Sequence, residues 1–264
     1  MTRIEKTFKR LKDNGEKALV GFVTAGDPDM DTSLEVVSAM CENGVDILEL
    51  GVPFSDPTAD GPVIQRSSAR ALQAGIRLPD VLEMTEKLRQ TTEVPIILFS
   101  YYNPIMAHGV GRFYEDAVSA GADGVLVVDL PPEESGELTG SWSDDGFCLI
   151  RLVAPTTPQD RMQMIAHNSS GFLYMVSMTG VTGSAGLDAT GIGEHVEKLR
   201  QATDLPVCVG FGISTPSDVA AVSAVADGVV IGSAFEKTIE ENRENADLAA
   251  IIGKQTAAYK EATR

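Results

Sequence analysis

Glu49 is a carboxylate set in an otherwise apolar run, Ile47, Leu48, Glu49, Leu50, and Asp60 follows eleven positions later in a loop carrying Pro53, Asp56 and Pro57. A carboxylate inside an apolar strand is costly to desolvate unless it is neutral, paired or used. The pair reads as an acid and a base, one on a rigid strand and one on a lid able to fold over it. A blander reading stands beside it. Glu49 could face water at a strand end, and Asp56 or Asp60 could cap the helix that follows.

Three glycine-rich turns supply a second kind of chemistry. Gly180-Val-Thr-Gly183, Gly210-Phe-Gly-Ile-Ser214 and Gly232-Ser-Ala234 each follow an apolar run. Glycine lets backbone N–H groups approach an anion closely, and a helix N-terminus adds a favourable dipole. A phosphate site is the expectation, in a chain whose formal charge is otherwise −17. Phe22 and Tyr174 lie inside strand-like runs, where barrel interiors normally carry Val, Ile and Leu. Aromatic groups there suit a flat aromatic substrate. Further polar groups fall at run ends: Thr24, Asp27, Tyr101, Tyr102, Asn103 and Asp129. For Asp129 a helix cap or an acceptor fixing the backbone is an equal alternative.

These groups need a scaffold that brings run ends together. Apolar runs recur at 18–26, 46–52, 95–102, 124–130, 147–155, 172–180, 206–212 and 228–234. They are near-continuously apolar, as strands covered on both faces must be. Helical spacing predicts helices at 31–43, 78–90, 112–120, 133–144, 158–167, 191–203 and 216–225, and one long final helix at 235–262. An extra amphipathic helix over 4–11 precedes the first strand. Strand and helix alternating eight times predict an α/β fold, a single (β/α)8 TIM barrel spanning residues 1–264 as one domain. The connections 53–74 and 180–191 are longer than standard βα loops. Both leave the strand ends at which barrels of this kind build their sites.

At 264 residues, 43% of them hydrophobic, the chain can bury a sizeable core. The negative balance argues against nucleic acid or an anionic membrane as partner. No apolar stretch is long enough to span a membrane, and the charged N-terminus lacks the apolar centre of a secretory signal. Cys41, Cys148 and Cys208, and His108, His167 and His195, have no metal-ligand spacing. The residues therefore point to a cytoplasmic, metal-free barrel enzyme acting on a phosphorylated small molecule: a lyase, an isomerase or an epimerase.

Taken together the segments are more specific. LELGVPFSDPTADGPVIQ resembles the signature of the tryptophan synthase alpha subunit family, and YYNPI, VDLPPEES, VSMTGVTG, GFGIS and IGSA follow in that family's order and spacing. The resemblance implies retro-aldol cleavage of indole-3-glycerol phosphate to indole and glyceraldehyde 3-phosphate. It also implies an αββα complex in which indole passes to a beta subunit, where pyridoxal phosphate resides, with no cofactor in this chain. Glu49 and Asp60 fall on the family's catalytic carboxylates, and Gly183, Gly212, Gly232 and Ser233 on its phosphate site. Phe22 and Tyr174 match its indole pocket, and Thr182 the loop residue that meets Asp60 on closure. Pro53, Asp56 and Pro57 match the lid that faces the partner. Thr58, Met178 and the loop after Gly183 depart from the common pattern. Two alternatives share the resemblance: a stand-alone lyase releasing free indole, and a largely non-catalytic activator of a beta subunit.

Overall fold

A computed structural model describes residues 1–140, 142–143, 146–176, 189–210 and 212–264. Eight parallel strands close into a barrel in sequence order. They are β1 (Ala18–Thr24), β2 (Ile47–Gly51), β3 (Ile96–Ser100), β4 (Gly124–Val127), β5 (Cys148–Val153), β6 (Leu173–Val176), β7 (Val207–Gly210) and β8 (Gly228–Ile231). The helices among the described residues are α1 (Arg3–Asn14), α2 (Met30–Glu42), α3 (Pro62–Gln73), α4 (Leu78–Arg89), α5 (Tyr102–His108), α6 (Val110–Ser119), α7 (Gly136–Thr139), α8 (Gln159–His167), α9 (Ala189–Arg200), α10 (Pro216–Ser223), α11 (Ser233–Asn242) and α12 (Leu248–Glu261). The expected (β/α)8 order is observed.

Alternation along each strand sorts the core into two layers. Leu19, Val23, Leu48, Leu50, Leu98 and Val125 point outward beneath the helices. Val20, Ile47, Ile97, Leu126, Ile150, Phe172 and Tyr174 fill the barrel. Glu49 is two residues past Ile47, so strand parity alone turns it inward.

The N-terminal end of the barrel is plugged. Ile4 and Leu11 of α1 are buried with the interior cluster, and Phe8 meets Phe172 at a ring distance of 5.9 Å. A polar residue at or shortly before the start of each even-numbered strand accepts an N–H from the first or second residue of its odd-numbered neighbour. Asp46 accepts from Leu19, Asp123 from Ile96, Ser170 from Leu149 and Asp227 from Val207, all at 2.9–3.0 Å. These pairings satisfy backbone groups where the ladder begins.

Three expected elements differ. The connection at 53–74 is only partly a loop, because α3 occupies its second half, with Pro62 in the first helical position where proline fits. The helix expected at 133–144 is a 3-10 turn, Pro132–Glu134, followed by the four-residue α7. Gly136 and Gly140 bracket that segment, and glycine is a poor helix former. The long final helix is two, α11 and α12. Between them the side chain of Asn245 accepts the N–H of Asp247, a local turn that competes with helical pairing.

Candidate active site

Strand register builds the mouth of the barrel around Glu49. Phe22 is paired with Glu49 across β1 and β2, and Ile97 flanks it on β3. Two pairs further along, Gly51 faces Phe99. A Cβ at Gly51 would lie 2.7 Å from the Phe22 ring, so that glycine makes room for the aromatic wall. Phe22 and Phe99 then meet edge to face, with centroids 5.1 Å apart. Glu49 is fully buried, and neither carboxylate oxygen has a hydrogen-bond partner. Burial alone pushes its pKa up to about 8, so the side chain carries a proton at neutral pH.

Asp60 approaches from the loop after β2. Its Oδ2 accepts the Tyr101 hydroxyl at 3.1 Å, and the same hydroxyl oxygen accepts the N–H of Ala59 at 2.9 Å. Phe54, from the same loop, packs on the Tyr101 ring with centroids 5.1 Å apart. Tyr101, at the end of β3, is thus a post on which the loop hangs. Desolvation raises the Asp60 pKa, and the Tyr101 bond opposes that rise.

Both carboxylates line one cavity of about 250 Å³, together with Phe22, Phe99, Tyr174, Gly212, Gly232 and Ser233. Pro62, Val63 and Ile64 of α3 close its side. Gly212 has φ +74°, a left-handed turn that directs the chain from β7 toward α10. Gly232 caps α11 without any side-chain hydrogen bond. The first hydrogen bond of that helix runs from Glu236 N–H to the Gly232 carbonyl. The three preceding N–H groups lie outside the helical ladder, a standing site for an anion.

Seven of the expected residues therefore converge: Glu49, Asp60, Phe22, Tyr174, Gly212, Gly232 and Ser233. Thr182 and Gly183 lie outside the described residues. Pro53, Asp56 and Pro57 stand on the loop that carries Asp60 but do not line the cavity. Sequence places Tyr101 only among the polar groups at run ends, and it does not point to Phe99 or the α3 wall. Phe99 could have been found by counting two residues from Ile97 along β3. Asp129 is a backbone-fixing acceptor, taking the Tyr102 N–H at 2.7 Å. Among the described residues no His, Cys, Asp and Glu side chains form a cluster able to hold a metal ion.

Residues 8–263 match the family model described as tryptophan synthase alpha chain. The chain belongs to the tryptophan synthase alpha chain family. The tryptophan synthase alpha chain of Desulfatibacillum aliphaticivorans is 64% identical over 264 residues, with both chains covered in full. The solved structure of tryptophan synthase subunit alpha from Legionella pneumophila is 40% identical, covering 100% of this chain and 98% of that one, with a TM-score of 0.92. A chain of Mycobacterium tuberculosis tryptophan synthase in an aminoacrylate-bound form is 30% identical, with full coverage of both and a TM-score of 0.90. The family's alpha chains thus share this barrel along its whole length. Among the described residues no helix is long and apolar enough to cross a membrane.

Proposed function

We propose that the cavity between Glu49 and Asp60 is where this alpha chain cleaves indole-3-glycerol phosphate into indole and glyceraldehyde 3-phosphate. The alpha chain needs no cofactor of its own. It acts with a beta subunit that holds pyridoxal phosphate, receives the indole and completes L-tryptophan. The observation that carries the residue assignment is a buried, unpartnered Glu49 sharing one aromatic-walled cavity with Asp60 and an uncapped helix N-terminus.

The chemistry follows from protonation states. Glu49 starts as the acid and gives its proton to indole C3. The ring becomes an indoleninium cation, and Asp60 stabilises the charge at the ring N–H. The Glu49 carboxylate then takes the proton of the glycerol 3′-hydroxyl. That oxygen's electron pair forms the aldehyde carbonyl while the C3–C3′ bond breaks and returns its electrons to the ring. Indole leaves, and Glu49 is again protonated, so no net proton is lost. Phe22, Phe99 and Tyr174 hold the flat ring. Gly212, Gly232, Ser233 and the α11 N–H groups take the phosphate, with Gly183 completing that site. Thr182 meets Asp60 on closure, and Pro53, Asp56 and Pro57 present the lid to the beta subunit. The enzyme works in the cytoplasm as one barrel domain.

The test is indole release from indole-3-glycerol phosphate by the purified chain, alone and with a matching beta subunit. Slow turnover that rises strongly with beta supports the subunit reading. Fast turnover indifferent to beta would make it a stand-alone lyase, and no turnover in either case would mean the carboxylates have been misassigned.

A further inference from the structure

A second buried acid lies directly below the helix end offered to the phosphate. Glu236 sits in the first turn of α11 and is fully buried. Its Oε1 accepts the backbone N–H of Thr24 at the end of β1, and its Oε2 has no hydrogen-bond partner. Burial, reinforced by the nearby Asp27 charge, pushes its pKa up to about 8. The side chain is therefore neutral at physiological pH, so an acid in the first turn does not repel the anion that the turn receives.

The connection continues away from α11. Thr24 Oγ1 and Ser67 Oγ are 2.7 Å apart. Ser67 Oγ also lies 2.9 Å from the Ile64 carbonyl, to which it donates, so Thr24 supplies the hydrogen between the two hydroxyls. Ile64 is in the first turn of α3 and forms part of the cavity wall, four residues after Asp60. On the outer side the same two helices are clamped by ion pairs. Arg66 makes two 2.7 Å bonds to Glu240, and Arg70 bonds Glu240 at 2.9 Å and Asp27 twice at 2.7 Å. The phosphate turn and the helix that follows Asp60 are thus joined through residues that touch neither phosphate nor indole.

We propose that Glu236, acting through Thr24 and Ser67, is a positioning residue that ties the phosphate-accepting turn of α11 to the first turn of α3, so that a bound phosphate sets where Asp60 stands. The inference rests on the lyase reading of the cavity. Binding energy from a remote, non-reacting group serves catalysis only if it is transmitted to the reacting centre, and this path transmits it.

The experiment compares turnover of indole-3-glycerol phosphate with that of the same compound lacking phosphate, in the chain supplemented with a beta subunit. In the wild type the phosphate raises kcat by about 100-fold or more, as expected when remote binding energy is used for orientation. Glu236→Met and Ser67→Ala lower that ratio by about tenfold, the scale of a small misplacement of a reacting group. Glycerol 3-phosphate affinity, measured by calorimetry, shifts by less than about threefold, because the α11 N–H groups remain. Glu236→Gln keeps an acceptor for Thr24 and stays neutral, and it restores the ratio. Ser67→Ala barely alters core volume, so a folding failure of Glu236→Met leaves the test intact. An unchanged ratio in Ser67→Ala, equal losses on both substrates, or a wild type indifferent to the phosphate overturns the proposal while leaving the lyase reading standing. A wild type that cleaves neither substrate overturns both.

Discussion

The N-terminal end of this barrel and the cavity at its other end treat carboxylates in opposite ways. At the N-terminal end Asp46, Asp123 and Asp227 each accept a backbone N–H near a strand start and each pair with two cations. Asp46 meets Arg10 and Lys260, both at 2.8 Å. Asp123 meets Arg89 at 2.8 Å and Arg3 at 3.2 Å, and Asp227 meets Arg200 at 3.1 Å and Lys17 at 4.0 Å. At the C-terminal end Asp27 is likewise paired, with Arg70, but within the cavity Glu49 has no partner and Asp60 has a single phenol. A satisfied carboxylate is chemically idle, because its charge is already neutralised and its lone pairs are taken. An unsatisfied one is expensive to keep and has its acid–base capacity free. The fold places paired carboxylates outside the cavity and unpaired ones within it, and this distinction can be tested.

The largest effect belongs to Glu49→Gln. Turnover should fall by about 10²–10⁴-fold, the usual contribution of general acid–base catalysis, with glycerol phosphate binding kept. The same change should alter the pH dependence of stability. With its pKa raised from 4.5 in the open chain to about 8, folded Glu49 holds a proton that the unfolded chain has lost. Its contribution is fully present below pH 4.5 and is lost as pH rises toward 8, because the native state binds more protons in that window. Urea denaturation at several pH values should show a shallower decline in Glu49→Gln than in the wild type. Wild-type turnover should also drop as pH rises through about 8 and the acid form disappears. Turnover of the variant within a few-fold of wild type would sink the assigned role.

Asp123→Ala should give the reverse pattern. It leaves Nη2 of Arg89 and the Ile96 N–H without their acceptor, and breaking a largely buried pair costs about 3–5 kcal/mol. Chemical denaturation measures the loss, while turnover per folded molecule stays within about twofold of wild type if the two ends are independent. A large loss of kcat at unchanged stability would contradict the division. The smallest effect is expected for Tyr101→Phe, which removes two hydrogen bonds from the post that holds the loop, one to Asp60 and one from Ala59, each worth about 1 kcal/mol. It should lower kcat several-fold and stability by about 1–2 kcal/mol, less than Asp123→Ala, as steady-state kinetics and chemical denaturation would show. A loss as large as that of Glu49→Gln would make Tyr101 part of the chemistry rather than a support.

Much of the catalytic face follows from local rules. Near-continuous apolar runs identify β1 through β8 and place Glu49 within β2. Glycines at 212 and 232 mark the turns where the backbone can meet an anion. Local rules failed where tertiary contacts or side-chain turns intervened. The α11–α12 break depends on an Asn245 side chain acting on the Asp247 backbone, and α3 begins within what reads as one long loop because Pro62 both ends the loop and starts the helix.

The sequence by itself determined the strand–helix alternation, the place of Glu49 within an apolar strand and the glycine turns beside the phosphate helix, because each depends on spacing between near neighbours. Only the tertiary structure decided which carboxylates are satisfied. The partners of Asp46, Asp123 and Asp227 come from as far away as Lys260, the acceptor for Thr24 comes from Glu236, and the hydroxyl for Asp60 comes from Tyr101. Closing the barrel brings those residues together. It also surrounds Glu49 with apolar walls that hold its proton in place, an effect of burial that no spacing along the chain encodes.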